Sequence, residues 1–433
     1  MAPAGNFECL QAAIQGGADS VYFGVGNLNM RSHSANNFAV EDLRQVCDIC
    51  REAGIKSYLT VNITFYNEDL EPMRRLLAAA KEAGVTAVIA SDMAAIIEAR
   101  KLGIEVHIST QLSISNIESL RFYAQFADVI VLARELTLPQ VKEIHEAIVR
   151  EGIKGPGGEL IRLEMFCHGA LCMAVSGKCY LSLHAHNASA NRGSCYQVCR
   201  RSYIVTDRDD GNELEIDNKY IMSPKDLCTI EFMDRIIDAG VTVFKIEGRA
   251  RSGEYVKTAS RAYRDAADAV EAGTYSAEFG SQLKARLATV FNRGFWDGYY
   301  LGARMGEWSD VYGNKATRTK RYLGKITNWF EKIGIAEILI ETGELSVGDP
   351  VIISGPTTGV VEMTVKEIRL DPSCCVGDDS GSGTGSNQGG SGSRASASND
   401  YRIQTALKGD LISIPCPTKL RRSDKIFLFT PNE

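Results

Sequence analysis

Residues 56–92, KSYLTVNITFYNEDLEPMRRLLAAAKEAGVTAVIASD, pass from a β-branched run through an amphipathic stretch to a second apolar run. The first run predicts a strand, Leu70–Ala83 a helix with apolar residues three or four apart, and TAVIASD the next strand. The same grammar recurs on both sides, with strands at DSVYFGV, IEVHIST, ADVIVLARE and IRLEMFCHG and helices at Val40–Ala53 and Met93–Leu102. Ala-Gly or Leu-Gly steps in REAGIK, KEAGVT and RKLGIE end the helices, because glycine supplies a left-handed C-cap. Strand after helix after strand implies parallel pairing with right-handed crossovers. With APAG as the tail of a first strand and VTVFKIEGR (241–249) as the last, the count reaches eight. The predicted fold is α/β, a TIM-type (β/α)8 barrel, with an open doubly wound sheet as the rival.

A chain of 433 residues suggests two or three domains. The barrel is assigned to residues 1–300, with a cysteine-rich insertion at 168–240, and 301–317 form a connector. Residues 318–433 alternate in β fashion with turn signals at TGEL, VGDP and SGPTTG, which predicts a small C-terminal β-barrel. The Gly/Ser-rich run 376–400 has too few apolar side chains to offset ordering entropy and reads as a disordered loop. No apolar run is long enough for a membrane span, and the first residues lack a signal-peptide pattern, so a cytoplasmic protein is expected. The net charge of −6 argues against a globally basic coat for DNA. Basic tracts at 315–321 and 418–425 border the last domain, with Tyr322, Trp329 and Phe330 as stacking surfaces, and suggest a grip on an RNA backbone there. Oligomeric state leaves no mark on the sequence.

Residues 168–199, HGALCMAVSGKCYLSLHAHNASANRGSCYQVC, hold four cysteines with the spacing Cys172-x6-Cys179-x15-Cys195-x3-Cys199. Thiolates suit zinc or iron–sulfur centres. Only one pair is tight, which is less natural for a zinc ribbon, and disulfides are disfavoured in a reducing compartment. Polar residues recur where the predicted strands end: Asn62, Gln111, Arg134, Glu164, His168, Lys245, Glu247 and Arg249. Strand ends of such barrels carry chemistry. A peptidase needs an activated nucleophile or metal-bound water, but neither H-E-x-x-H nor G-x-S-x-G occurs. Cys167 and His168 are adjacent on a strand and point to opposite faces.

The segment EMFCHGALCMAVSGKCYLS (164–182) resembles the signature of peptidase family U-32, the collagenase-like peptidases, at Glu164, Phe166, Gly169-Ala170, Cys172, Gly177-Lys178-Cys179 and Ser182. The likeness extends through APAGN, ADSVYFG, HISTQ, LARELTL, SPKDL and KIEGRARS, most of residues 2–265. LGKITNWFEKIGIAEILIETGELSVGDPVIISGPTT is similar to that family's C-terminal β-barrel, which looks like the second domain of elongation factors. The resemblance implies an iron–sulfur protein that hydroxylates without molecular oxygen, closest to the tRNA hydroxylation proteins. These make 5-hydroxyuridine at the wobble position with prephenate as hydroxyl donor. It also implies a 4Fe-4S cluster on Cys172, Cys179, Cys195 and Cys199, with Cys228 as an alternative fourth ligand. A dicarboxylic donor calls for cations, and Arg31, Arg134 and Arg249 are the expected partners, because guanidinium–carboxylate pairs fix a planar anion. Asn62, Gln111, Lys245 and Glu247 complete the expected substrate site, and Glu164 and His168 are the expected proton-transfer groups. A genuine peptidase and a non-catalytic cluster-binding scaffold are the other two readings.

Overall fold

The computed structural model describes residues 1–33, 36–216, 222–302, 306–309, 313–371 and 401–432, so the predicted loop at 376–400 lies outside the described residues. They form two compact units, Met1–Ala316 and Thr317–Glu433.

In the first unit, strands β1 (Ala2–Pro3), β2 (Ser20–Phe23), β3 (Lys56–Val61), β4 (Ala87–Ala90), β5 (Glu105–Ile108), β6 (Val129–Val131) and β7 (Arg162–Gly169) pair in parallel and in chain order. Helices α1 (Phe7–Gln15), α2 (Leu43–Glu52), α3 (Leu70–Ala83), α4 (Met93–Lys101), α5 (Ile117–Ala124) and α6 (Leu138–Glu151) alternate with them. Helix α3 buries Met73, Leu76, Leu77, Ala80 and Ala83, the stripe its sequence spacing requires. Gly84 ends it at φ 84°, where a side chain would be strained. The strands are buried almost throughout, as in a parallel sheet covered on both faces.

The insertion after β7 contains α7 (Leu181–His186), a hairpin of β8 (Tyr203–Thr206) and β9 (Glu213–Ile216), and the short strand β10 (Asp226–Cys228). Helix α8 (Met233–Asp238) leads into β11 (Val241–Ile246), which pairs in parallel with β7. The Met1 ammonium donates to Phe244 O at 2.8 Å and Ile246 N donates to Met1 O at 3.1 Å, joining the last parallel strand to the first. Helices α9 (Gly253–Glu271) and α10 (Ala277–Leu287) follow, and β12 (Phe295–Trp296) pairs with β10.

Two local features depart from the sequence reading. The predicted helix Val40–Ala53 begins as a tight 3-10 turn, Val40–Asp42, because the Asp42 carboxylate accepts from the Ala39 N–H at 2.8 Å and draws the first turn in. Strand β10 runs antiparallel to the end of β7, and its three residues are too few to show a period.

The second unit contains an eight-stranded antiparallel sheet running from Gly359–Thr364 through Pro350–Gly355, Lys425–Pro431, Arg318–Phe330, Ile335–Ile340, Leu411–Pro415 and Ile368–Leu370 to Arg402–Ile403. Its core comprises residues such as Leu323, Ile326, Ile338, Ile353 and Ile412, and Trp329 packs against it. Trp329 is therefore no open stacking surface, and Tyr322 donates its hydroxyl to Glu341 at 2.5 Å. Of the three aromatic residues expected there, only Phe330 is exposed.

No helix among the described residues is long and apolar enough to cross a membrane.

Candidate active site

Where the parallel strands end, a cavity of about 200 Å³ opens, and all seven residues expected at the substrate site line it: Arg31, Asn62, Gln111, Arg134, Lys245, Glu247 and Arg249. Arg31 Nη2 lies 2.9 Å from Glu247 Oε1. Burial alone would raise the Glu247 pKa, but Arg31 and Arg249 beside it hold the carboxyl below its ordinary range. Arg249 Nη1 donates to Asn29 Oδ1 and Thr60 Oγ1, both at 3.0 Å. Burial lowers its pKa to about 10, so it remains a cation at neutral pH. Arg134 is tied to Ser176 Oγ at 2.8 Å and lies over the Phe166 ring. Asn62 donates to Ser109 Oγ, which in turn donates to Gln111 Oε1 at 2.8 Å.

The sequence reading missed Arg200, Arg251 and Arg293, which also line the cavity. They follow no period in the insertion and the post-β11 segments. Seven cations line this wall beside one carboxylate, Glu247; with Glu164 paired to Lys245 and Asp226 to Arg293 from behind, cations still outnumber acids, and such a surface concentrates anions.

Cys172, Cys179, Cys195 and Cys199 line the same cavity, and none is bridged. Burial pushes the Cys199 thiol up to about 11, against the pull of Arg200, and the charges of Cys172, Cys195 and Cys179 add to the rise. Gly177, at φ 74°, lets this loop lie on β5's end: a Cβ there would sit 2.7 Å from Gln111 O. Cys228 is placed elsewhere. It is buried in β10 and opens on a different cavity with Glu231, Tyr275 and Lys284.

The four thiols are soft donors on one wall, a donor set that suits zinc or an iron–sulfur cluster. A zinc ion holds its sulfurs about 2.3 Å from one point, and among the described residues no three His, Cys, Asp or Glu side chains are grouped to hold an ion. An iron–sulfur cluster shares its cysteine ligands among several metal atoms rather than gathering them round one.

Neither expected proton-transfer group lines the cavity. Glu164 is fully buried, with Oε1 2.7 Å from Lys245 Nζ and Oε2 3.4 Å from His107 Nδ1. Burial favours its neutral form, but Lys245 and His107 outweigh that and lower its pKa to about 2. Glu164 thus positions Lys245, whose ammonium also lies over the Tyr22 and Phe166 rings. His168 packs among Tyr255, Tyr263 and Phe295 with Nδ1 unpartnered. Burial and the nearby Arg251 charge push its pKa down to about 3, so at neutral pH it is a neutral imidazole and a weak base rather than an imidazolium acid. At His168 the pairing of β7 with β11 shifts register, Phe166 opposing Lys245 and His168 opposing Ile246, which breaks the simple alternation at the end of IRLEMFCHG.

His107, also missed, continues the charge chain: its Nε2 lies 3.3 Å from Glu105 Oε1, and Glu105 meets Arg162 at 2.7 Å. Burial opposes the imidazolium, but Glu105 and Glu164 prevail and raise its pKa above 6.5. A raised folded pKa gives stability that is full below the unfolded value and fades as pH rises through the folded one. The difference in melting temperature between the native protein and His107→Asn is therefore expected to be larger near pH 6 than near pH 9, measured by thermal unfolding.

The model of peptidase family U32 matches residues 5–310. The chain belongs to this family. This U32 protein is 55% identical, over all of its length and 98% of the relative, to a Porphyromonas gingivalis protein named collagenase. It is 32% identical to tRNA hydroxylation protein P1 of Bacillus subtilis, over 85% of this chain and 86% of that one. It is 35% identical to a 23S rRNA 5-hydroxycytidine synthase of Escherichia coli, over 71% of this chain and 46% of the relative. U32 relatives thus carry both peptidase and RNA-hydroxylation names.

Proposed function

We propose that this U32 protein is an iron–sulfur-dependent, oxygen-independent RNA hydroxylase of the cytoplasm, converting wobble uridine of tRNA to 5-hydroxyuridine with prephenate as hydroxyl donor. The observation that carries the reading is the shared cavity: four unbridged thiols and seven cationic side chains open on one space. The eight parallel strands are taken as a closed TIM-type barrel, and the C-terminal sheet as a small β-barrel.

In this reading Cys172, Cys179, Cys195 and Cys199 hold a 4Fe-4S cluster, which when bound supplies one-electron chemistry and Lewis acidity. Arg31, Arg134 and Arg249 bind the donor's carboxylates, each already oriented by a neighbour: Glu247, Ser176 or the Asn29–Thr60 pair. Lys245, paired with Glu164, is the group placed to move a proton at the cavity wall. Asn62 and Gln111 offer amide groups for a base or donor hydroxyl.

The peptidase reading has less support in the geometry. Cys167 Sγ contacts Lys245 O at 3.3 Å, while the neutral His168 ring lies among aromatic rings, so the two do not form a nucleophile–base pair. Mass spectrometry of tRNA nucleosides from strains with and without the gene tests the proposal. Loss of 5-hydroxyuridine in the deletion is expected. An unchanged nucleoside profile, with peptide cleavage by the purified protein, would replace it with the peptidase reading.

A further inference from the structure

We infer that the exposed rim of the cysteine-rich insertion, rather than the aromatic residues of the C-terminal sheet, is where an unpaired RNA loop docks, with bases stacking on Tyr180 and Tyr196. The inference rests on the hydroxylase reading and names the partner's contact surface. Tyr180 and Tyr196 are 68% and 50% exposed, unusual for large rings. Each directly follows a cysteine of the cavity wall, Cys179 and Cys195, so the rings flank the candidate reaction space. The stretches that carry the two rings are tied together, since Tyr196 N donates to Ser182 Oγ at 3.0 Å, two residues beyond Tyr180.

Charge points to the kind of partner. From residue 165 to 206 there is no Asp or Glu, while Lys178, Arg192, Arg200 and Arg201 are present, in a chain whose net charge is −6. Arg192 is engaged by Asp69 and Arg200 bonds inward to Ser223 and Leu171, which leaves the exposed Lys178 and Arg201 to meet a partner. Exposed aromatic rings, Tyr196 with one side against His186 at 4.8 Å, on a segment that carries cations and no acid of its own suit unpaired nucleotides, whose bases stack and whose phosphates need cations. A duplex keeps its bases stacked within itself and offers no such faces. The C-terminal unit is less suited: Trp329 packs on its core, Lys325 is paired with Glu341 and Lys419 with Glu331.

The test measures binding of the full, anaerobically purified protein to an anticodon stem–loop RNA, a fully paired duplex of the same composition and a collagen-like peptide. The stem–loop is expected to bind more tightly than the duplex. Tyr180→Ala and Tyr196→Ala should each weaken it about tenfold, with Tyr180→Phe and Tyr196→Phe restoring it and Phe330→Ala having no effect. Lys178→Ala with Arg201→Ala should flatten the salt dependence by roughly 0.7 in log–log slope for each phosphate no longer neutralised. Both tyrosines are exposed, and unchanged iron content in the variants confirms that the site is intact. If the stem–loop binds but the tyrosine variants match the native protein, docking lies elsewhere and this inference falls while the hydroxylase reading stands. If the native protein binds the peptide and no RNA, both fall.

Discussion

On the hydroxylase reading, Cys199→Ser is expected to lose nearly all bound iron together with wobble hydroxylation, whereas Cys228→Ser retains both. The contrast follows from placement. Cys199 is half-buried on the wall shared with Cys172, Cys179 and Cys195 and feels their charges, whereas Cys228 opens on another cavity and takes a weak contact from the Tyr263 hydroxyl at 3.9 Å. Serine is a close match in shape, but its hydroxyl is a poor ligand for iron, so the substitution tests ligation more than packing. Buried as it is, the Cys199 thiol has a pKa near 11 without metal, and only an electropositive centre makes its thiolate the stable form. Iron per protein, determined on anaerobically purified variants, checks the first half, and nucleoside analysis of complemented deletion strains checks the second. Iron lost from Cys228→Ser and kept in Cys199→Ser would reverse the ligand assignment.

Glu164→Gln is expected to destabilise the first unit by about 3–5 kcal/mol, because removing one member of a buried pair leaves the other charge uncompensated. Here Lys245 loses its carboxylate at 2.7 Å and His107 loses one of two, at 3.4 Å, keeping Glu105 at 3.3 Å, in a site that is almost wholly buried. Glutamine keeps the shape but cannot offset either charge. The Glu164→Gln/Lys245→Met double variant should recover part of the loss, the signature of direct coupling. Acidification gives an independent reading. The folded pKa of about 2 lies below the ordinary 4.5, so this stabilisation is present above about pH 4.5 and disappears as pH falls toward 2. The difference in denaturant midpoint between the native protein and Glu164→Gln should therefore shrink across that window. A difference independent of pH would mean that Glu164 acts through packing alone.

The periodic parts of this molecule were legible from sequence, and the aperiodic parts were not. Leu70–Ala83 announces its buried stripe and its terminating glycine, and the observed helix has the same bounds. The strand-end residues Asn62, Gln111, Arg134, Lys245, Glu247 and Arg249 stand out as polar groups closing apolar runs, and the sheet gathers them at one cavity. His107 stayed hidden because a histidine inside IEVHIST looks like any satisfied core histidine until its two carboxylate neighbours, from its own strand and from β7, are brought beside it. Alternation predicts that Glu164, Phe166 and His168 share a face, but the pairing of β7 with β11 shifts register between Phe166 and His168, and His168 packs away from the cavity. Arg251 and Arg293 are invisible for another reason. Both lie over Phe291, Arg293 from two residues along the same segment and Arg251 across a tertiary contact, and neither segment has a pattern of its own.

The central claim is that Cys172, Cys179, Cys195 and Cys199 hold an iron–sulfur cluster at the mouth of this cavity. Iron-edge X-ray absorption of the anaerobically purified protein tests it most directly. The account predicts a sulfur shell with an iron–iron vector that disappears in Cys199→Ser; iron bound only through nitrogen and oxygen, or iron–sulfur scattering unchanged in that variant, would contradict it.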